Sequence, residues 1–147
     1  MKYSIDFDRE KTASVYGRDL HVSPKHSREI CKEIAGMKSS SAEKYLEEVI
    51  ALKRAVPYTR FNNEFGHRKG MCSARYPVKA SEHILKLLRE AVANAEFKGL
   101  DSEKLVIKHA SAYPGRKIKR YMPRAQGRSG EHSEITANIE MIVEEIE

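Results

Sequence analysis

Between Gly115 and Gly130 the chain reads GRKIKRYMPRAQGRSG, with six cations (Arg116, Lys117, Lys119, Arg120, Arg124 and Arg128) and no acid. Groups of this type at this density recognise polyanions: an arginine fork matches phosphate oxygens, and a lysine supplies a compact point charge. Their spacing does not let one face gather them into a flat patch. An arm charged all round has no core to bury against, so it makes physical sense when polyanion surrounds it. Tyr121 offers a ring on which a base can stack. Met122-Pro123 adds a stiff apolar element, and Gly127 and Gly130 permit close approach of backbones. The competing reading is a floppy, solvated loop.

A second basic segment, Lys53 to Lys79, holds seven Lys/Arg and one acid, Glu64. The two segments together take 13 of the 27 basic groups and one of the 21 acids, which leaves the other 104 residues with a net charge of −6. A surface built for solubility mixes both signs, and these segments do not. In the second one, Arg60, His67, Arg68, Lys69 and Arg75 interleave with Tyr58, Phe61, Phe65 and Tyr76. That pattern suits irregular or single-stranded RNA, whose unstacked bases meet rings. Phe61 and Phe65 equally fit a second role, pinning the insert to the domain.

Catalytic constellations are missing. The six histidines (His21, His26, His67, His83, His109, His132) show no metal-ligand spacing. His67 and Cys72 are two candidates where four ligands are needed. Cys31 falls on or beside an apolar helix face and reads as a buried, inert thiol. His109 in a strand reads as structural or RNA-facing, and the carboxylates Glu47-Glu48 and Glu144-Glu145 as solvated charge. There is no phosphate-binding Walker motif. Gly127-Arg-Ser-Gly130 has the form of a KH-domain loop but lies between strands instead of helices. We therefore expect no catalytic residue, no metal and no cofactor. Two cysteines without a C-x-x-C pair suit a reducing compartment. No apolar run approaches the ~20 residues of a membrane span, and Met1 to Arg9 lacks an apolar signal core, so a cytosolic protein without a membrane span is expected.

Several elements must hold these segments. Val15, Tyr16, Leu20 and Val22 read as a first strand within Thr12–Val22. Ser23-Pro24 is a helix start, with Ser as side-chain cap and Pro at the first position; Ile30, Ile34 and Met37 share its face and Gly36 closes it. A second helix opens at Ser40 with Glu43 completing a capping box, striped by Tyr45, Leu46, Val49, Ile50 and Leu52 up to Val56-Pro57. After the insert, Ala80, Ile84, Leu87, Leu88, Ala91, Val92 and Ala95 mark the strongest helix, ended by Gly99. Lys104–Tyr113 reads as a strand. Ile135, Ala137, Ile139, Met141 and Val143 alternate with Thr136, Asn138, Glu140 and Glu144 as a strand with one buried face. The long connection between these two strands implies an extended hairpin whose arms, at ~3.3 Å per residue, reach on the order of 30 Å. The expectation is an α+β fold in one domain, 1–147, with a basic insert at 57–77 and an extended hairpin at 114–132.

Certain of these residues make the chain resemble a known family. They are the Ser23-Pro24-Lys25 helix start, the hairpin Lys119-Arg120 … Pro123-Arg124-Ala125-x-Gly127-Arg128, and the closing strand Ile139-Glu140-Met141-Ile142. With them, nearly the whole chain resembles the universal large-subunit ribosomal protein family, numbered twenty-two in bacteria and seventeen in eukaryotes. Asn62, Gly66, His67 and the Arg75-Tyr76-Pro77 junction look like its archaeal and eukaryotic type. The resemblance implies three helices packed on a three-stranded antiparallel sheet, with a protruding hairpin threaded through ribosomal RNA. It also implies early assembly, neighbouring ribosomal proteins as partners, and RNA-binding positions that include Lys25. The hairpin tip, Met122, Pro123, Arg124, Ala125, Gln126 and Gly127, would then face the nascent polypeptide in the exit tunnel. One departure is Asn138, which stands where many members carry a histidine. The alternative is a DNA-architectural protein whose β-arm wedges Pro123 between base steps; the acidic remainder of the chain offers no saddle for a duplex.

Overall fold

A computed structural model describes residues 3–8 and 10–146; of the opening segment, Met1, Lys2 and Arg9 lie outside the described residues. Alternating apolar residues build the main sheet. Strand β1 (Thr12–Leu20), strand β5 (Leu105–Ile118) and strand β8 (Glu134–Glu145) are antiparallel in the order β1-β8-β5. Helix α1 (Pro24–Ile34) packs on β5 and β8, and helix α3 (Val78–Phe97) packs on β1 and β8. Helix α2 (Ser39–Ile50) lies against α3. The fold is α+β, with three helices over an antiparallel sheet.

The apolar periodicities translate into burial. Ile30, Ile34, Leu46, Val49, Ile84, Leu88 and Ala91 meet Ala137, Ile139, Met141 and Val143, all at 0% exposure. Gly36 and Gly99 adopt left-handed φ of +85° and +81° just beyond the helices they end, where a Cβ would be strained. Gly17 has a different reason to be glycine: a Cβ there would lie 2.8 Å from Leu87 Cδ1.

Four local readings are corrected. Ser23 precedes α1 with extended backbone, but its side chain makes no cap; its carbonyl instead accepts Ser27 N–H at 3.0 Å. Helix α2 begins at Ser39, one residue early, and no side chain caps it, so the Ser40/Glu43 box does not form. Leu52 lies past the end of α2 with φ +59° and is 59% exposed, outside the apolar stripe. In β8, Ile135 is exposed, whereas Thr136, Glu140 and Ile142 are buried.

That last correction has a physical cause, because the face of the sheet away from the helices is covered too. The segment at 3–8 lies across it, with Tyr3 edge-on to the Tyr16 ring at 6.5 Å. Tyr113 donates its hydroxyl to Tyr16 Oη at 3.0 Å. The buried Glu140 carboxylate accepts from Ser4 N–H at 3.3 Å and from the Ser4 hydroxyl, and His109 Nε2 sits 3.1 Å away. A buried carboxylate is tolerable only with such partners, and His109 takes the structural role among those expected for it.

The insert is more ordered than its composition suggests. It forms strands β2 (Val56–Pro57), β3 (His67–Arg68) and β4 (Met71–Arg75), in the order β2-β4-β3. Leu88, fully buried in α3, tests the core: Leu88→Ala should cost about 2–5 kcal/mol, read as a lower urea midpoint with unchanged slope. A loss under 1 kcal/mol would mean that α3 is not the core's main helix.

Candidate nucleic-acid interface

Strands β5 and β8 stay paired as they leave the core. Their register runs through Pro114↔Ala137 and, after a bulge, Lys117↔Ile135 and Ile118↔Glu134. His132 N–H donates to Arg120 O at 2.7 Å, and strand β6 (Tyr121–Pro123) pairs with strand β7 (Ser129–Glu131) through Tyr121↔Glu131 to Pro123↔Ser129. The turn closes with Arg124 N–H donating to Arg128 O at 2.8 Å. Gln126 and Gly127 supply consecutive left-handed φ values of 60° and 66°. Gly127 thus serves the turn, whereas Gly130 has no positive φ. The hairpin from Arg116 to Pro123 is roughly 20–25 Å long at 3.3 Å per residue, and every residue from Lys119 to Ser129 is exposed.

At the hairpin's root lies a polar cluster that sequence reading missed. Asp19, at φ +50°, donates its N–H to Asn138 Oδ1 at 2.8 Å. Its carboxylate accepts Arg116 N–H at 3.0 Å and the Thr136 hydroxyl at 3.1 Å. A Cβ on Gly115 would stand 2.6 Å from Thr136 Oγ1 and 2.8 Å from Asp19 Oδ1, so only glycine leaves room for the cluster. Asn138, the departure from the family pattern, is one of its acceptors. The available signal was Pro114-Gly115 inside a strand pattern, since glycine there marks a bulge or a close approach.

All thirteen expected RNA-binding residues (Lys25, Arg60, His67, Arg68, Lys69, Arg75, Arg116, Lys117, Lys119, Arg120, Tyr121, Arg124 and Arg128) are exposed. Tyr121 is 70% exposed and Met122 44%. The arm is less uniformly cationic than its own sixteen residues suggest, because acids just beyond them return across the hairpin. Lys117 Nζ is 3.1 Å from Glu131 Oε1, and Arg120 Nη1 is 3.7 Å from Glu134 Oε1. The Ser133 hydroxyl and then Lys117 hold the Glu131 carboxyl below its usual range. The side chains of Arg116, Lys119, Arg124 and Arg128 form no salt bridge among the described residues.

In the insert the two alternatives for the aromatics divide by residue. Phe65 pins: it packs on the core, meets the buried Tyr58 ring edge-on at 5.0 Å, and carries the Arg75 guanidinium 3.7 Å over its face. Phe61 is 48% exposed, with Lys25 Nζ 5.1 Å above it. Arg68 lies 5.6 Å from the Tyr76 ring. Glu29 of α1, 2% exposed, holds the insert in place by accepting Thr59 N–H at 2.9 Å and Arg60 N–H at 3.3 Å. Beside it, burial first, then Arg75 and Lys25, lowers the His26 pKa, and its ring contacts the Tyr58 hydroxyl.

Burial pushes the Cys31 thiol up to about 12, as an inert cysteine requires, while Cys72 is exposed. Among the described residues no cluster could hold a metal, and no helix is long and apolar enough to cross a membrane. The candidate interface is a paired cationic arm together with a pinned basic insert.

The family model described as Ribosomal protein L22p/L17e matches residues 15–144. The chain belongs to that family. The relatives compared with it are archaeal. It is 48% identical over 147 residues to a protein of Methanococcoides burtonii named large ribosomal subunit protein uL22, covering 99% of this chain and 97% of that one. Proteins of the same name from Methanocaldococcus jannaschii and Methanothrix thermoacetophila are 52% and 45% identical, over 99% of this chain and 95% and 97% of theirs. Within this L22p/L17e member the arm and the whole of the insert fall inside the matched span.

The root cluster predicts a pH dependence. The Arg116 N–H and Thr136 hydroxyl favour the charged form of Asp19 and lower its pKa. A depressed carboxylate stabilises the fold fully above the unfolded value of ~3.9 and loses that contribution as pH falls through the lower folded value. Protection of the Arg116 amide from hydrogen exchange should therefore persist at pH 4 and fade only below it, and Asp19→Ala should remove it at every pH. Loss of protection between pH 5 and 6 would show that the carboxylate is not the acceptor.

Proposed function

We propose that this chain is a structural constituent of the large ribosomal subunit, binding ribosomal RNA through its arm and insert. As a member of a ribosomal protein family it is not an enzyme, and its place is in cytoplasmic ribosomes. In this reading residues 1–147 act as one RNA-binding domain, with the insert at 57–77 and the hairpin at 114–132 as its RNA-contacting parts. The turn at Met122–Gly127 lines the nascent-peptide exit tunnel, and neighbouring ribosomal proteins flank the body.

The observation that carries this is the arm. A paired hairpin holding six cations and an exposed Tyr121 has no core to serve, and the chain belongs to a ribosomal family. Each guanidinium can fork onto a phosphate while the ring stacks on a base. A duplex-bending arm with Pro123 as wedge is disfavoured by the −6 charge of the remainder.

Sedimentation of a native lysate tests the class of function. The protein should appear at one copy per large subunit and resist a high-salt wash; recovery with the chromosome or free in the supernatant would overturn the proposal. The salt dependence of RNA binding tests the arm. Six neutralised phosphates give a slope of log K against log salt of roughly −4 to −5, and four give about −3 to −4. The slope therefore reads whether Lys117 and Arg120 exchange their carboxylates for phosphates. Arg124→Ala with Arg128→Ala should make the slope shallower by about 1.5 while leaving the melting temperature nearly unchanged.

A further inference from the structure

A cleft of 840 Å³ opens between the starts of α1 and α3, walled on one side by the insert and on the other by the root of the arm. Its size is that of sites for nucleotide-sized ligands. Val22, Phe61 and Ile135 give it apolar walls, and Phe61 and Ile135 are 48% and 46% exposed. Lys25, Arg28 and Lys79 stand exposed on the rim, and none has a carboxylate partner among the described residues. The one acid in the lining, Glu134, is turned to Arg120 at 3.7 Å. Both bordering helices start without a side-chain cap and without an acid in the first turn, so their N-terminal dipoles add to the same positive potential.

We propose that this cleft binds a single unstacked nucleotide of RNA, with the base against Phe61 and Ile135 and the phosphate among Lys25, Arg28 and Lys79. The combination selects the ligand. A purely apolar ligand gains nothing from three unpaired cations, and a bare anion gains nothing from the walls. A nucleotide presents a flat ring and a phosphate at once, and Lys25 already lies over Phe61 as a guide for that pairing. Position favours RNA over a protein segment, since a strand passing from the arm to the insert crosses this cleft. The inference rests on the chain being an RNA-binding protein and adds a site at the arm's root, apart from the cations of the arm itself.

Two experiments decide it. In solution, the full chain is titrated with a single-stranded RNA hexamer while amide resonances are followed. Shifts should centre on Lys25, His26, Lys79 and Ala80. Phe61→Ala and Lys79→Glu should each weaken binding roughly tenfold, and Arg124→Ala should leave those shifts in place. Shifts confined to the arm, or the same shifts at the same strength with inorganic phosphate, overturn the proposal. In assembled large subunits, a photo-crosslinking phenylalanine analogue replaces the exposed Phe61. A cross-link to a defined RNA nucleotide supports the site; a cross-link to a neighbouring protein, or none, sinks it. Absence of the chain from large subunits would count against the ribosomal reading, whereas the hexamer titration judges the cleft without a ribosome.

Discussion

Strand β8 is the constraint on which the molecule depends. Over Ile139–Val143 it is hydrogen-bonded on both edges, to β1 and β5, and buried on both faces. A strand placed in this way has no freedom of register, because a slip of one residue would exchange Met141 with Glu140 and put a carboxylate among the helices. The same continuous strand begins outside the core, at Glu134, as one leg of the arm. Direction fixed in the core is thereby passed outward along the backbone, and the bulge with its Asp19 cluster sets how the arm departs.

Charge is segregated along this axis. The core admits carboxylates only where they are fully engaged: Glu140 by Ser4 and His109, and Glu29 by the insert's backbone. The cations stay at the surface. Two of the arm's six lean on acids from the opposite leg, which softens repulsion along the hairpin while no polyanion is present. In the insert, stacking over Phe65 and Tyr76 orients Arg75 and Arg68 without neutralising them, so their charge remains available to a phosphate.

What could be seen in the sequence follows from the range of the forces involved. Periodic apolar residues identify α1, α2, α3 and β8 because burial repeats along a helix or strand at fixed spacing. The arm was legible from charge density alone. The Ser23 cap was misjudged because a hydroxyl in the right place need not turn toward the helix, and the Ser40 cap because α2 starts earlier, with Lys38 at the cap position. Nothing in the alternation of β8 foretold that Glu140 would be buried, since its cover comes from residues 136 positions away. The insert's strands escaped notice because two residues, as in β2 and β3, carry no periodicity and the five of β4 include a single buried position, Ala74. Arg28 belonged to no basic segment and Lys79 closed the second one; only the packing of α1 beside α3 brings the two together.

The common register of the arm's two paired stretches also restricts how its length can change. Ile118↔Glu134 and the pairs from Tyr121↔Glu131 to Pro123↔Ser129 keep one register, with His132 N–H donating to Arg120 O between them. Adding or removing one residue on a single leg would rotate every side chain beyond it to the other face. Longer or shorter versions of this hairpin are therefore reached by matched changes on both legs, or by changes confined to the turn at Arg124–Arg128. The arm grows like a ladder, rung by rung.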